Sequence, residues 1–393
     1  MPRVVAYTGN EAVAEAMRQI EPDVVAAYPI TPQTEVVQTF SGFVNDGVVK
    51  TEMITVESEH SAMSACVGAA AAGGRVMTAT SANGLALMWE ILYCASGNRL
   101  PMVMTVVNRA MSAPINIHCD HSDSMGARDT GWIQLYSENA QEAYDNIVQA
   151  VTVSENRDIL LPVMVCVDGF IISHSIERVE LLDDNLVKDF IGEYMPAYPL
   201  LDLEHPKTFG PLDLNDFYIE HKRQQHEAMK FVPDALLGAA KRFEALTGRK
   251  YGLVEGYKLD DAEVAIVVLN SAAGTTRAVV DMMREKGVKA GLLKIRMFRP
   301  FPSELVAQRL GHCKAVAILD RSDSFGAQGG PVAHEVRSAI CNLPTVPKAI
   351  QFVYGLGGRD LNTEDVANVF EELQKIARTG KVEQVFDYIT VRN

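Results

Sequence analysis

Short apolar runs alternating with helix-like segments constrain this chain more than any other feature. In the first part of the chain the strand-like runs are Val4–Tyr7, Asp23–Tyr28, Met53–Val56, Val76–Thr80, Met102–Val107 and Pro162–Val167. Between them, Glu11–Ile20, a segment near 33–44 and Ser61–Ala72 read as helices. A strand–helix rhythm of this kind predicts an α/β fold, a parallel sheet with helices on both faces. The Ser61–Ala72 helix is made almost wholly of small residues, so it is expected buried or at an interface.

The rhythm breaks after Ser173. From about 176 to 214 the chain is acidic and carries Pro196, Pro199, Pro206 and Pro211, as a linker or an irregular packed arm would. One long polar helix is expected from about 214 to 246. The α/β pattern then restarts, with strands at Glu263–Leu269, Ala290–Ile295, Ala315–Leu319 and Ile350–Val353. Helices are expected at Thr275–Lys286, Pro331–Ile340 and Thr363–Thr379. The expected division is 1–175, an arm and helix at 176–258, and a smaller α/β domain at 259–393.

Hydrophobic residues make up 48% of the 393 and charged residues 22%, enough apolar material for large cores. The formal charge of −14 argues against nonspecific binding of nucleic acid or of an anionic membrane. No apolar run approaches the roughly 18 residues of a membrane span, and the segment MPRVVAYTGNEAV lacks a secretory core. A cytoplasmic location is therefore expected. The six cysteines are scattered without any C-x-x-C, so the chain cannot supply a ferredoxin-type run of cluster ligands. There is no phosphate loop, nucleophile elbow or G-x-G-x-x-G fingerprint, which disfavours a nicotinamide enzyme or an ATPase.

Three segments stand where parallel sheets place functional groups, at the carboxyl ends of strands. Tyr28-Pro29-Ile30-Thr31-Pro32 is stiffened by two prolines, and on its residues alone Thr31 reads equally as a helix cap. Glu57 and Glu59 precede the small-residue helix, where the helix dipole alone would favour acids. Arg109 follows a strand and can grip a carboxylate with a planar fork, or merely cap a helix. His118, Cys119, Asp120, His121 and Asp123 offer metal-type donors. Their spacing fits no common zinc pattern, and a polar loop near an active site is the expected reading.

Taken in order, YPITP at 28–32, ESEH at 57–60, TSANGLALM at 80–88, VNRAMSAP at 107–114, RDTGW at 128–132 and DGFIISH at 168–174 form a pattern. It resembles the alpha subunit of the pyruvate:ferredoxin oxidoreductase family and its 2-oxoacid relatives. The likeness continues through Lys294–Pro302, Asp320-Arg321 and the Ser324–Gly330 loop. It implies a pyrimidine-type thiamine-diphosphate-binding domain followed by a transketolase C-terminal-like domain. It also implies oxidative decarboxylation of pyruvate to acetyl-CoA and CO2, with electrons passed to ferredoxin. This chain has neither the G-D-G nor the Asn-Asn pair of the family's diphosphate-holding subunit. The resemblance therefore implies beta-, gamma- and delta-type partner subunits that carry Mg2+ and the [4Fe-4S] clusters, with coenzyme A as acyl acceptor.

Matched motif to motif, Glu59 is the carboxyl implied to hydrogen-bond the cofactor's aminopyrimidine ring and so promote its carbanion, with Glu57 as fallback. Such a carboxyl is expected to be desolvated, which favours its protonated form. Arg109 and Thr31 are implied to bind the oxoacid. Pro29, Ile30 and Asn83 are implied to contact the cofactor, Arg128 to add a polar contact, and His60 to be structural. A small hydroxyl at Thr31 suits pyruvate, while 2-oxoglutarate and branched oxoacids stay open. So do a lipoate-linked dehydrogenase and a non-catalytic assembly subunit.

Overall fold

Three of the apolar runs are strands covered on both faces, since every residue of Val76–Thr80, Val103–Asn108 and Val163–Asp168 is buried. The computed structural model describes residues 3–392. Its first part comprises β1 (Arg3–Tyr7), α1 (Gly9–Ile20), β2 (Val24–Ala27), α2 (Thr34–Asn45), β3 (Glu52–Thr55), α3 (Glu59–Ala72), β4 (Val76–Thr80), α4 (Ala82–Leu87), α5 (Trp89–Gly97), β5 (Val103–Asn108), α6 (Ser122–Gly126), β6 (Ile133–Tyr136), α7 (Ala140–Ser154), β7 (Val163–Asp168) and β8 (Glu177–Leu181). Then come α8 (Asp184–Ile191), α9 (Tyr218–Met229), α10 (Val232–Thr247), β9 (Val254–Tyr257), β10 (Val264–Val268), α11 (Ala272–Glu285), β11 (Ala290–Ile295), β12 (Met297–Arg299), α12 (Ser303–Leu310), β13 (Ala315–Asp320), α13 (Pro331–Ile340), β14 (Lys348–Val353), α14 (Thr363–Thr379) and β15 (Phe386–Tyr388).

The first sheet has the order β12-β6-β7-β5-β4-β2-β3 and the second β15-β14-β13-β10-β11-β9. Both are parallel except at β12 and β9, which pair antiparallel with their neighbours. Helices start where the sequence supplies caps: Thr8 with Glu11 at α1 and Asn362 with Asp365 at α14 each form a capping box.

Two expectations are corrected. Residues 3–7 do not join the parallel sheet; β1 pairs antiparallel with β8 in a separate two-stranded ribbon. The long polar helix is two helices, α9 and α10, because Pro233 lies in the first turn of α10. A proline has no N–H to continue the preceding helix but suits a helix start. The second sheet begins at β9, ahead of residue 259, and β12 returns from that half of the chain to pair with β6.

One core cluster lies under α1, α7 and α10 on one face of the first sheet. On the other face Met104, Trp132 and Tyr136 share a single cluster with Ala265, Leu293 and Ile318 of the second sheet. The two sheets are therefore joined by apolar packing. α3 packs its Ala62, Met63 and Cys66 side inward, while Ser64 and Gly68 face out. No helix among the described residues is long and apolar enough to cross a membrane.

Candidate active site

Because β2, β3, β4, β5 and β7 run parallel, the loops that follow them gather on one edge of the first sheet. Glu59 opens α3 at this edge and is 7% exposed. Its carboxyl makes no hydrogen bond or ion pair among the described residues. Glu57 differs: it is solvated, and the Ser61 hydroxyl donates to it at 2.7 Å. The first turn of α4 lies against Glu59. A Cβ on Gly84 would stand 2.7 Å from Glu59 Oε1 and 2.6 Å from Thr80 Oγ1, so only glycine leaves that space open. Thr80 Oγ1 and Ser81 Oγ are buried there without partners. Unpartnered donors and acceptors beside an available carboxyl fit a nitrogen-rich heterocycle, which would satisfy them.

Arg109 follows β5 and is 7% exposed. Its Nη1 donates to the Thr31 carbonyl at 2.9 Å and its Nε to the Asn116 carbonyl at 3.0 Å. Nη2 has no partner among the described residues and remains available to a carboxylate. The Thr31 hydroxyl is likewise unengaged. The turn that carries Thr31 is pinned by Gln33, whose Oε1 accepts from Ile30 N at 3.2 Å and whose Nε2 donates to Ala79 O at 2.8 Å. Asn10 reinforces it through a 2.9 Å bond to Pro32 O. Pro29 and Ile30 lie on the open side of this turn. Asn83 accepts from the Ser112 hydroxyl at 3.2 Å, linking α4 to the strap that follows Arg109.

Asp123 ties these pieces together, a role that sequence reasoning missed. Its carboxylate accepts from Ala82 N at 3.0 Å, Asn108 Nδ2 at 2.8 Å, Arg109 N at 3.0 Å and Ser124 N at 2.7 Å. Burial pushes this carboxyl up to about 6, against the pull of the Asn108 amide and the backbone N–H groups. It is the anion at the start of α4, where Ala82 holds a left-handed φ of 42°.

Asp168, at the end of β7, is a second hub that sequence reasoning missed. It accepts from His121 Nε2 at 2.7 Å, Asn270 Nδ2 at 2.8 Å, Arg321 Nη1 at 2.8 Å and the Ser271 hydroxyl. Ser271 N also donates to it at 3.2 Å, so Asp168 serves as the anion at the start of α11. Burial by itself would raise this carboxyl, but the Arg321 guanidinium and His121 hold it well below the usual range. The only signal for either carboxylate was position, one inside a His- and Asp-rich loop and one at a strand end.

Cys119, His121 and Asp168 offer ligand atoms within 4.8 Å of one another. Arg321 Nη1 lies 2.8 Å from Asp168 and 3.7 Å from Cys119 Sγ, so a guanidinium already supplies the positive charge there. His118 is exposed and stacks near Phe170 at 4.9 Å between ring centroids. Arg128 follows α6 and donates to Met125 O at 2.7 Å. His60 pairs with Glu90 at 2.7 Å on the surface.

The edge of the first sheet thus presents a buried carboxyl and an arginine Nη2 without partners among the described residues, together with unpartnered buried hydroxyls, and a second α/β sheet packs against it, the architecture of a thiamine-diphosphate-binding class with which the family model for residues 15–239 agrees. Residues 15–239 match the family model described as pyruvate flavodoxin/ferredoxin oxidoreductase, thiamine diphosphate-binding. Residues 262–366 match the pyruvate:ferredoxin oxidoreductase core domain II. The chain belongs to the pyruvate:ferredoxin oxidoreductase family.

It is 60% identical to pyruvate synthase subunit PorA of Thermotoga maritima, over 94% of each chain. It is 46% identical to the subunit of the same name from Methanocaldococcus jannaschii, over 95% of this chain and 96% of that one. It is 40% identical to ketoisovalerate oxidoreductase subunit VorA of Pyrococcus horikoshii, over 97% and 96%. Among solved structures, a 2-oxoglutarate:ferredoxin oxidoreductase from Magnetococcus marinus shares the fold with a TM-score of 0.74 at 22% identity, over 94% of this chain and 65% of that one.

Proposed function

We propose that this chain is the subunit of a multi-subunit 2-oxoacid:ferredoxin oxidoreductase that activates thiamine diphosphate and grips the oxoacid. The reaction is oxidative decarboxylation of pyruvate to acetyl-CoA and CO2, with electrons passing to ferredoxin. The observation that carries the reading is the Asp123 bridge. It joins the first turn of α4, which lies over Glu59, to the backbone of Arg109, whose guanidinium reaches Thr31.

Thiamine diphosphate, when bound, supplies a nucleophilic carbanion and an electron sink for the departing carboxylate. Glu59 would hydrogen-bond the aminopyrimidine and hold the proton that sets its tautomer. Pro29, Ile30 and Asn83 would line the ring. Arg109 Nη2 orients the oxoacid carboxylate and the Thr31 hydroxyl adds a hydrogen bond, so the carbonyl is presented rather than left to tumble. Partner subunits of beta, gamma and delta type hold Mg2+ and the [4Fe-4S] clusters; the cysteines of this chain are dispersed, four buried and two exposed. The division into a pyrimidine-type domain to about 175, an arm to 258 and a transketolase C-terminal-like domain is part of this reading, as is a cytoplasmic location. The VorA likeness supports a branched oxoacid as the second substrate reading.

The test is oxoacid-dependent reduction of ferredoxin or a viologen dye by the complex purified through a tag on this chain. Pyruvate-dependent reduction that is lost in Glu59→Gln is the expected result. Reduction with another oxoacid would overturn the substrate alone. No reduction with any oxoacid, from a complex loaded with thiamine diphosphate and clusters, would overturn the function.

A further inference from the structure

Arg109 is steered from two sides, and one of them leads out of the first domain. Its Nε donates to the carbonyl of Asn116, on the strap that runs from residue 110 to 121. Much of that strap has little packing to fix it: Ala113, Pro114, Ile115 and Ile117 are exposed, Ile115 to 78%. Asn83 and Ser122 hold its beginning, at Ser112 and Met111, and the second domain fixes the stretch from Asn116 onward. Asn116 Nδ2 donates to Gly357 O at 3.1 Å, Gly358 N donates to Cys119 O at 2.6 Å, and His121 N donates to Arg321 O at 2.8 Å. Asn116 Oδ1 accepts from His118 N at 2.7 Å, which closes a small turn around the carbonyl that Arg109 uses.

Gly357 suits this anchor in two ways. Its φ of 63° is left-handed, and a Cβ at that position would collide with Asn116 Nδ2. We infer that Asn116 is a positioning residue for the oxoacid, and that Gly357 of the second domain sets the angle of the Arg109 guanidinium through it. The inference rests on the reading of Arg109 as the partner of the oxoacid carboxylate. It makes oxoacid affinity depend on a glycine that itself touches neither substrate nor Arg109.

The test uses the assembled complex with Asn116→Asp, Asn116→Ala, Gly357→Ala, the Asn116→Ala/Gly357→Ala pair, and Arg109→Lys as reference. Asn116→Asp keeps the acceptor for His118 N but removes the donor to Gly357 O. Losing one such bond corresponds to an increase of about three- to tenfold in the KM for pyruvate. The expected result is that rise in each single variant, with kcat within about twofold and the KM for coenzyme A unchanged. The pair should be no worse than its worse member, because both act through one contact. A pyruvate KM unchanged in Asn116→Asp and Asn116→Ala, while Arg109→Lys raises it, overturns this inference alone. A fall in kcat at constant KM also overturns it. A KM unchanged in Arg109→Lys overturns the reading of Arg109 as well. Should Gly357→Ala fail to assemble, the two Asn116 variants decide the matter.

Discussion

Asp168 and Arg321 form a 2.8 Å ion pair between the end of β7 in one domain and the residue following β13 in the other, with both side chains almost wholly buried. Removing one partner of such a pair strands the other charge without water, which typically costs about 3–5 kcal/mol. Asp168→Asn is therefore expected to lower the denaturation midpoint sharply, because Arg321 is left without its carboxylate. The folded carboxyl lies below its unfolded value. Its contribution is thus fully present above the unfolded value of about 3.9 and is lost as pH falls below that. Chemical denaturation of wild type and variant at pH 7 and at pH 3 checks both points: the gap between them should narrow in acid.

Asp123 behaves in the opposite sense. Its folded carboxyl is raised to about 6 by burial. A raised carboxyl takes up its proton first in the folded state, so its stabilisation is greatest below about 4 and declines as pH rises from there to about 6. Function should run the other way, since only the ionised carboxylate accepts from all of Ala82, Asn108, Arg109 and Ser124. The oxoacid KM is expected to climb as pH falls through about 6. In Asp123→Asn it should be high and flat over that range. A steady-state pH profile of KM in the two complexes measures this.

Gly84→Ala would place a methyl group 2.7 Å from Glu59 Oε1. The carboxyl must turn away or α4 must lift, and an overpacked position of this kind costs about 1–3 kcal/mol. The expected outcome is weaker retention of thiamine diphosphate and at least a tenfold loss of turnover, with assembly intact. Titrating the cofactor into stripped complex, alongside the reduction assay, reads both.

Lys294, on β11, is buried among carboxylates, with Nζ 2.8 Å from Glu138 and 2.9 Å from Glu142 on the α7 side. Burial alone would lower its pKa, but those carboxylates raise it well above the ordinary lysine range. Lys294→Met leaves buried Glu142 with Arg296, 4.0 Å away, as its remaining cation, and is expected to destabilise the chain by about 3 kcal/mol. Adding Glu142→Gln should recover much of the loss. Denaturation midpoints of the single and double variants test this.

Much of the fold was legible because burial and period coincide. Val76–Thr80 was read to the residue, and so was Thr363–Thr379, whose Asn362 and Asp365 mark the start of the helix. Other elements left no local trace. β6 has Gln134 in its middle, buried but polar, and α4 is too short to show a period. Glu59, Arg109 and Thr31 could be nominated because each follows a strand or a stiff turn. Asp123 stood among the donors of the His118–Asp123 loop and Asp168 at the head of the DGFIISH segment, but neither could be read as a hub, because Ala82 for the one and Asn270, Ser271 and Arg321 for the other come from distant segments of the chain.

Strand β12 carries a further consequence, for the order in which a nascent chain can mature. On the side of the first sheet opposite β3, its partner β6 is the outermost strand that the first part of the chain supplies, and it waits for Met297–Arg299 to cover its free edge. Until the ribosome has passed that point, β6 offers unpaired backbone groups of the kind that recruit another chain. A fragment ending at residue 258 would keep that edge permanently. The second domain thus acts as a cap that the first must await during synthesis, and cutting the gene at the apparent domain border should yield aggregates rather than two independent halves.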